Sequence, residues 1–302
     1  MNKVQIVLVF AAFFIYIIAL VISYLSSARI PGLFYNTLSN LNNKYAQQVS
    51  PKSIAFGIIW PIIYFWNLVG IIYIVVSCFL PVAKSPVKMA PSLVPKTFLI
   101  SYCAAFIVTV GWLFAFDREV MGLSFALLLV AALSVYVSVG ALCKAAADNA
   151  EALEKDNKVV FWLMRILVQN GLSLLGTWLT VATLVNLAVV IIYEDSFGLE
   201  AAVQRGTISI VNGSTVSLVI LLVIVITWFV LENFVLEKYC RYLYTIYPVF
   251  ILATSALIDK LRALPNGKQN LIIASVDLAV VLVAFIVRVI LAVYRRNQRL
   301  LV

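Results

Sequence analysis

Long apolar runs separated by short polar stretches fill the chain: 4–25, 54–80, 97–116, 120–143, 159–193, 214–231, 243–258 and 270–293. An apolar run of about 18 or more residues, wound as a helix, is long enough to cross the hydrocarbon core of a bilayer. The runs are continuous, whereas the strands of a membrane barrel would alternate apolar and polar positions, so helices are expected. The pattern predicts an all-α polytopic membrane protein with eight candidate spans. The run 243–258 is short and contains Pro248, which makes it the least defined. The run 159–193 is too long for one upright span and carries Arg165, Gln169 and Asn170 in its first half. A tilted helix that begins outside the hydrocarbon is expected there. The first run follows Lys3 and ends in Ser26-Ser27-Ala28-Arg29, which resembles a signal-peptidase site. Its apolar part is longer than a usual signal h-region, so a retained first helix is expected.

Two connections differ from the rest. Residues 26–53 read as a long loop with Asn, Ser and Pro, and residues 144–158, charged and Ala-rich, read as a helix prolonged into water. Lys and Arg are more numerous in the connections on the N-terminal side than in those on the other side. With eight spans this bias places both termini in the cytoplasm. The sequon Asn212-Gly213-Ser214 falls on the outer side but abuts the sixth run.

Composition narrows the chemistry. The chain has 302 residues, 64% hydrophobic and 12% charged, with a net charge of +9. Its cations are scattered over loops, which fits anionic headgroups and not nucleic acid. There is no His, which excludes His-ligated zinc, di-iron and haem as well as Ser-His-Asp triads. The four Cys (Cys78, Cys103, Cys143, Cys240) are far apart in apolar surroundings and read as small buried hydrophobes. No metal, no cofactor and no enzymatic turnover are expected.

Three aromatic motifs stand out. Phe56-Gly57-x-x-Trp60-x-x-x-Tyr64 places Phe56, Trp60 and Tyr64 along one helix face, with Gly57 opening space and Pro61 able to bend the span. Thr109-x-x-Trp112-x-x-x-Phe116 follows, and then Trp178-x-x-x-Ala182-x-x-x-Asn186. A pocket for a flat apolar ligand needs aromatic faces, a few polar tips and small residues that leave room. The same residues would equally serve to pack helices, with Asn186 bonded to a neighbour. Both readings stay open on the residues alone.

These motifs, in this order, resemble the TspO/MBR family, the translocator proteins also called tryptophan-rich sensory proteins. The resemblance covers about residues 1–193. It implies a five-helix bundle over 1–193; the chain continues for about three further spans in 194–302, which the family lacks. It also implies an intrabundle pocket for a tetrapyrrole or sterol, formed by Phe56, Gly57, Trp60, Tyr64, Trp112, Phe116, Trp178, Ala182 and Asn186. The loop after the first span stands where the family has the lid of its pocket. Departures are Thr109 in place of Asn, and Leu174-Leu175 in place of Pro-Tyr. The expected sterol-recognition pattern is also missing, because Glu194-Asp195 follow Tyr193. Looser sterol-type patterns occur at Leu236, Tyr239, Arg241 and at Leu291, Tyr294, Arg296. The expected partners are the hydrophobic ligand and the bilayer, and a homodimer stays open.

An ionisable group inside a span is costly and is a functional candidate by default. Asp277 lies seven residues into the last run, with Arg288 three turns on, and Arg165 or Gln169-Asn170 are candidate partners. The alternatives are a structural ion pair or interfacial anchor, and a coupling group for secondary transport or a channel. Glu232 and Glu237, ending the sixth run, read as solvent-facing caps or partners of Lys238 and Arg241.

Overall fold

The computed structural model describes residues 3–194 and 203–300. Long helices dominate: α1 (Lys3–Ser27), α3 (Ser53–Ser77), α4 (Lys96–Asp117) and α5 (Met121–Asp148). Before α3 lies the short α2 (Leu38–Lys44), and after α5 the short α6 (Ala150–Asp156). One continuous rod then runs through α7 (Lys158–Leu163), a π-helical turn at Met164–Gln169, and α8 (Asn170–Ile192). A two-residue antiparallel pair, Tyr193–Glu194 with Val203–Gln204, leads to α9 (Ile210–Val230) and a second π-turn, Leu231–Val235. The chain ends with α10 (Glu237–Cys240), α11 (Ile246–Arg262) and α12 (Lys268–Leu300).

Among the described residues seven helical segments are long and apolar enough to cross a membrane, and α11 is not one of them. Its 17 residues, with Lys260 and Arg262 in the last turn, span about 25 Å, less than the roughly 30 Å of hydrocarbon. It still runs the length of the bundle. Tyr247 at its start donates to Glu232, and Lys260 near its end donates to the Gln47 and Ser50 carbonyls. The expected seventh span is thus a helix of the bundle that is too short to cross a membrane upright on its own.

The expectation for 159–193 needs a different explanation. In its most apolar window 83% of residues are buried within the protein, against 22–50% for the other spans. Its length serves a central axis, with α3, α5, α9 and α11 packed around it. Where a π-turn loosens the i→i−4 ladder, carbonyls become available to neighbours. Trp66 of α3 donates to the Ile166 carbonyl at 2.9 Å, and Asn67 donates to the Gly171 carbonyl at 3.0 Å. Gly70 makes this approach possible, since a Cβ there would stand 2.7 Å from the Leu167 carbonyl oxygen. The core runs without a break from α1 to α12 through α8, so both sides of residue 193 share one interior.

The helix pairings define two ends. One gathers the start of α1, the connection 78–95, α6, α10 and the end of α12; Gln5 bonds there to Ser92 and Val94. The other gathers 28–52, 118–120 and 263–267. Within 26–53, expected as loop, α2 is capped by Thr37, whose hydroxyl accepts from the Asn40 N–H. The segment 144–158 is helical apart from a break at Asn149 and at Asn157, much as its composition predicts.

Candidate functional site

The three aromatic motifs converge at the α2 end. Trp60 of α3 is the hub: it stacks on Tyr64 (centroids 5.4 Å apart) and on Trp112 of α4 (6.5 Å). It also meets Trp178 of α8 edge-on at 6.2 Å. Phe56 meets the same Trp178 edge-on at 5.3 Å, and Trp112 stacks with Phe116 at 5.9 Å. The i, i+4 spacing on each helix makes three parallel ladders, and the bundle sets them facing one another. Trp178 is fully buried, and Trp112 and Phe116 nearly so.

Between the ladders lies a void of about 30 Å³. Phe56, Trp60, Trp112, Phe116, Trp178, Ala182 and Asn186 line it. Leu38 and Asn42 of α2 and Val181 and Val185 of α8 complete the wall. Two expected residues do not line it. Gly57 sits on an exposed flank of α3, with nothing within 4 Å of where its Cβ would be. Tyr64 stacks on Trp60, but its hydroxyl donates to Ser23 of α1 at 2.8 Å. Asn186 makes local bonds: its Oδ1 accepts from Ser124 of α5 at 2.7 Å and its Nδ2 donates to the Ala182 carbonyl. Thr109, in the family's Asn position, bonds back to the Ala105 carbonyl.

The polarity of this wall lies in the three tryptophans. The indole N–H groups of Trp60, Trp112 and Trp178 are all buried and none has a hydrogen-bond partner. A buried donor without an acceptor costs about 1–3 kcal/mol, so three around one void is an unusual concentration.

The α2 segment is fastened over the void at both sides by the connection after α4. Asp117 Oδ1 accepts from the backbone N–H groups of Tyr35 and Asn36, at 2.9 and 2.8 Å. Arg118 lies over the Tyr35 ring at 4.4 Å and donates to the Leu33 carbonyl. Glu119 accepts from Lys44 at 2.5 Å and also from the Tyr45 hydroxyl.

A family model described as TSPO-like protein matches residues 7–288. The chain belongs to that family. The matched span includes the helices after residue 193, so the TSPO-like match extends through α12 as far as residue 288. No curated protein and no solved structure matches the chain.

The charges of this TSPO-like protein fall differently from the expectation. Asp277 is fully buried, and neither carboxylate oxygen has a hydrogen-bond partner. Arg165 does not join it: the carboxylate within ion-pair distance of Arg165 is Glu154, at 3.9 Å. Arg288 is taken by Glu232, with Nε and Oε1 3.0 Å apart. Glu232 is therefore no solvent-facing cap but a fully buried carboxylate that also accepts from the Tyr247 hydroxyl at 2.8 Å. The π-turn at Leu231–Val235 explains the difference, because its wider winding swings Glu232 inward. Glu237 behaves as expected, holding Arg241 through two bonds of 2.7 Å. Among the described residues no three His, Cys, Asp or Glu side chains cluster as metal ligands.

Proposed function

We propose that this TSPO-like membrane protein binds a flat hydrophobic small molecule of the tetrapyrrole or sterol class between Trp60, Trp112 and Trp178. On this reading the ligand is bound and passed on or sensed, without chemical turnover. The observation that carries the reading is the trio of unpaired indole N–H groups around one aromatic void. A ligand that brings carbonyl, carboxylate or hydroxyl acceptors would supply the missing partners, and its flat body would take the place of ring-on-ring contacts.

The void of about 30 Å³ is closed to such a ligand, since small-molecule pockets run to about 300–1,000 Å³. Binding on this reading requires α2 to lift, carrying Leu38 and Asn42 away from Trp60 and Trp112. Tryptophan-fluorescence titration of the purified protein with protoporphyrin IX and with a fluorescent sterol tests it. Saturable quenching lost in folded Trp112→Leu and Trp178→Leu variants supports the reading; equal quenching in the variants removes it. The Lys- and Arg-richer end, where α1 begins and α12 ends, is assigned to the cytoplasm on the positive-inside rule.

A second reading rests on Asp277, whose two unpartnered oxygens inside the bundle suit a coupling group for proton- or ion-linked transport. It predicts pH-dependent flux in proteoliposomes that Asp277→Asn abolishes while porphyrin quenching persists.

A further inference from the structure

The end opposite α2 holds the larger spaces. A recess of about 290 Å³ is walled by Cys143, Glu154, Arg165, Gln169, Lys238 and Arg241. It adjoins a groove of about 670 Å³ that shares Glu154, Arg241 and Tyr242 with it and runs along α12 past Val289, Val293 and Arg295.

Arg165 is the group to explain. It is 5% exposed, and its guanidinium lies 3.5 Å from the Phe161 ring centroid and 3.6 Å from that of Tyr242. Two aromatic rings thus hold a desolvated cation flat and fixed. Its Nη1 has no hydrogen-bond partner, and Glu154, 3.9 Å away, is itself half exposed. Lys238 adds a second cation to the same recess, exposed and with no carboxylate in ion-pair distance among the described residues. Arg241 is already matched by Glu237, whose carboxyl it holds below the usual carboxylate range. At the far side Arg295 also has a buried Nη1 without a hydrogen-bond partner.

The neighbouring groove supplies the other half of an amphiphile's requirements. Val289 and Val293 are about half exposed on the face that α12 turns to the surroundings, and Trp162, Tyr247 and Phe285 line the inner side. An apolar trough therefore leads from the lipid-facing side of α12 to a recess with fixed, unfilled cationic donors. Basic pockets between membrane helices are suited to anionic headgroups.

We propose that this recess binds the phosphate headgroup of an anionic glycerophospholipid of the phosphatidic acid class. Arg165 and Lys238 donate to the phosphate oxygens, and one acyl chain lies in the groove beside Val289 and Val293. The continuity of the groove with the exposed face of α12 favours a lipid over a free anion, which would leave the apolar trough unfilled.

The test is native mass spectrometry, with thermal unfolding alongside, on the delipidated full chain in neutral detergent. Dioleoyl phosphatidic acid, dioleoyl phosphatidylcholine and inorganic phosphate are added separately. Phosphatidic acid is expected to give one retained lipid per chain and a saturable rise in melting temperature. Loss of a charged hydrogen-bonding group in Arg165→Gln is expected to weaken that binding by roughly tenfold or more. Because Arg165 sits between two rings, its variant can fail to fold. The exposed variant Lys238→Gln is the companion, expected to fold normally and to bind phosphatidic acid several-fold more weakly. Equal retention of phosphatidylcholine, full retention by the folded variants, or an equal stabilisation by inorganic phosphate alone would each overturn the proposal.

Discussion

At the α2 end, five aromatic side chains, Ala182 and Asn186 close on a void of about 30 Å³; at the opposite end, cations border about 290 Å³ of open recess. The first is neutral, with donors that belong to stacked indoles. The second is charged, with donors that belong to a guanidinium clamped between rings. Both leave polar hydrogens unpaired, but by different means. Stacking holds the indoles where no acceptor reaches, and its ~0.5–1.5 kcal/mol per ring pair offsets part of the ~1–3 kcal/mol that each unpaired N–H costs. The clamp fixes Arg165 where water can still enter the recess beside it. The first site therefore has no room for a ligand as it stands, whereas the second already holds a recess of about 290 Å³.

The largest expected effect separates buried charge from stacked rings. Arg288→Ala leaves Glu232 as an unpaired buried carboxylate and should destabilise the protein by about 3–5 kcal/mol in denaturant unfolding in detergent. The double replacement Arg288→Met/Glu232→Leu should recover most of that loss, and failure to recover would mean that the pair does more than neutralise itself.

The next effect concerns closure. Asp117→Ala removes the acceptor of the Tyr35 and Asn36 N–H groups and should cost about 1–3 kcal/mol. It should also speed porphyrin association in stopped flow and expose the segment 35–45 to protease. Unchanged association would show that α2 is not what closes the void.

A smaller effect isolates the indole donors. Trp178→Phe keeps an aromatic ring and deletes one unpaired N–H, so stability should change by no more than about 1.5 kcal/mol while porphyrin affinity falls. Unchanged porphyrin affinity in the folded variant would mean that this N–H takes no part in binding. The smallest effect is a control at the basic end: the exposed Lys144–Asp148 pair should leave the melting temperature unmoved when Lys144→Gln breaks it.

How much of this was legible in the sequence differs by feature. The helix-spaced ladders were readable because i, i+4 positions share a face whatever surrounds them. That Trp60 would face Trp112 and Trp178 was readable only through the order of the motifs in a related family, since spacing within a helix says nothing of its neighbours. Gly57 was misplaced because sitting inside a motif does not put a residue on its inward flank. The helix α2 was missed, as seven residues carry little helical signal alone, although Thr37-x-x-Asn40 offered a capping cue. Glu232 was misread because a π-turn, which changes the facing of every residue after it, leaves no pattern in apolar periodicity. Asp277 was placed inside a span by its position in an apolar run, whereas its burial and its lack of a partner needed coordinates.

The π-turn at Met164–Gln169 has a mechanical consequence. Carbonyls from Ile166 to Gly171 take side chains of α3, while Asn170 bonds to the Tyr242 carbonyl and Gln169 to the Leu142 carbonyl. A one-turn ratchet of the axial rod would have to break all of these together. The rod is thus keyed to its sleeve like a splined shaft. Any signal that passes between the two ends has to travel through the outer helices, since the shaft itself has no free stroke.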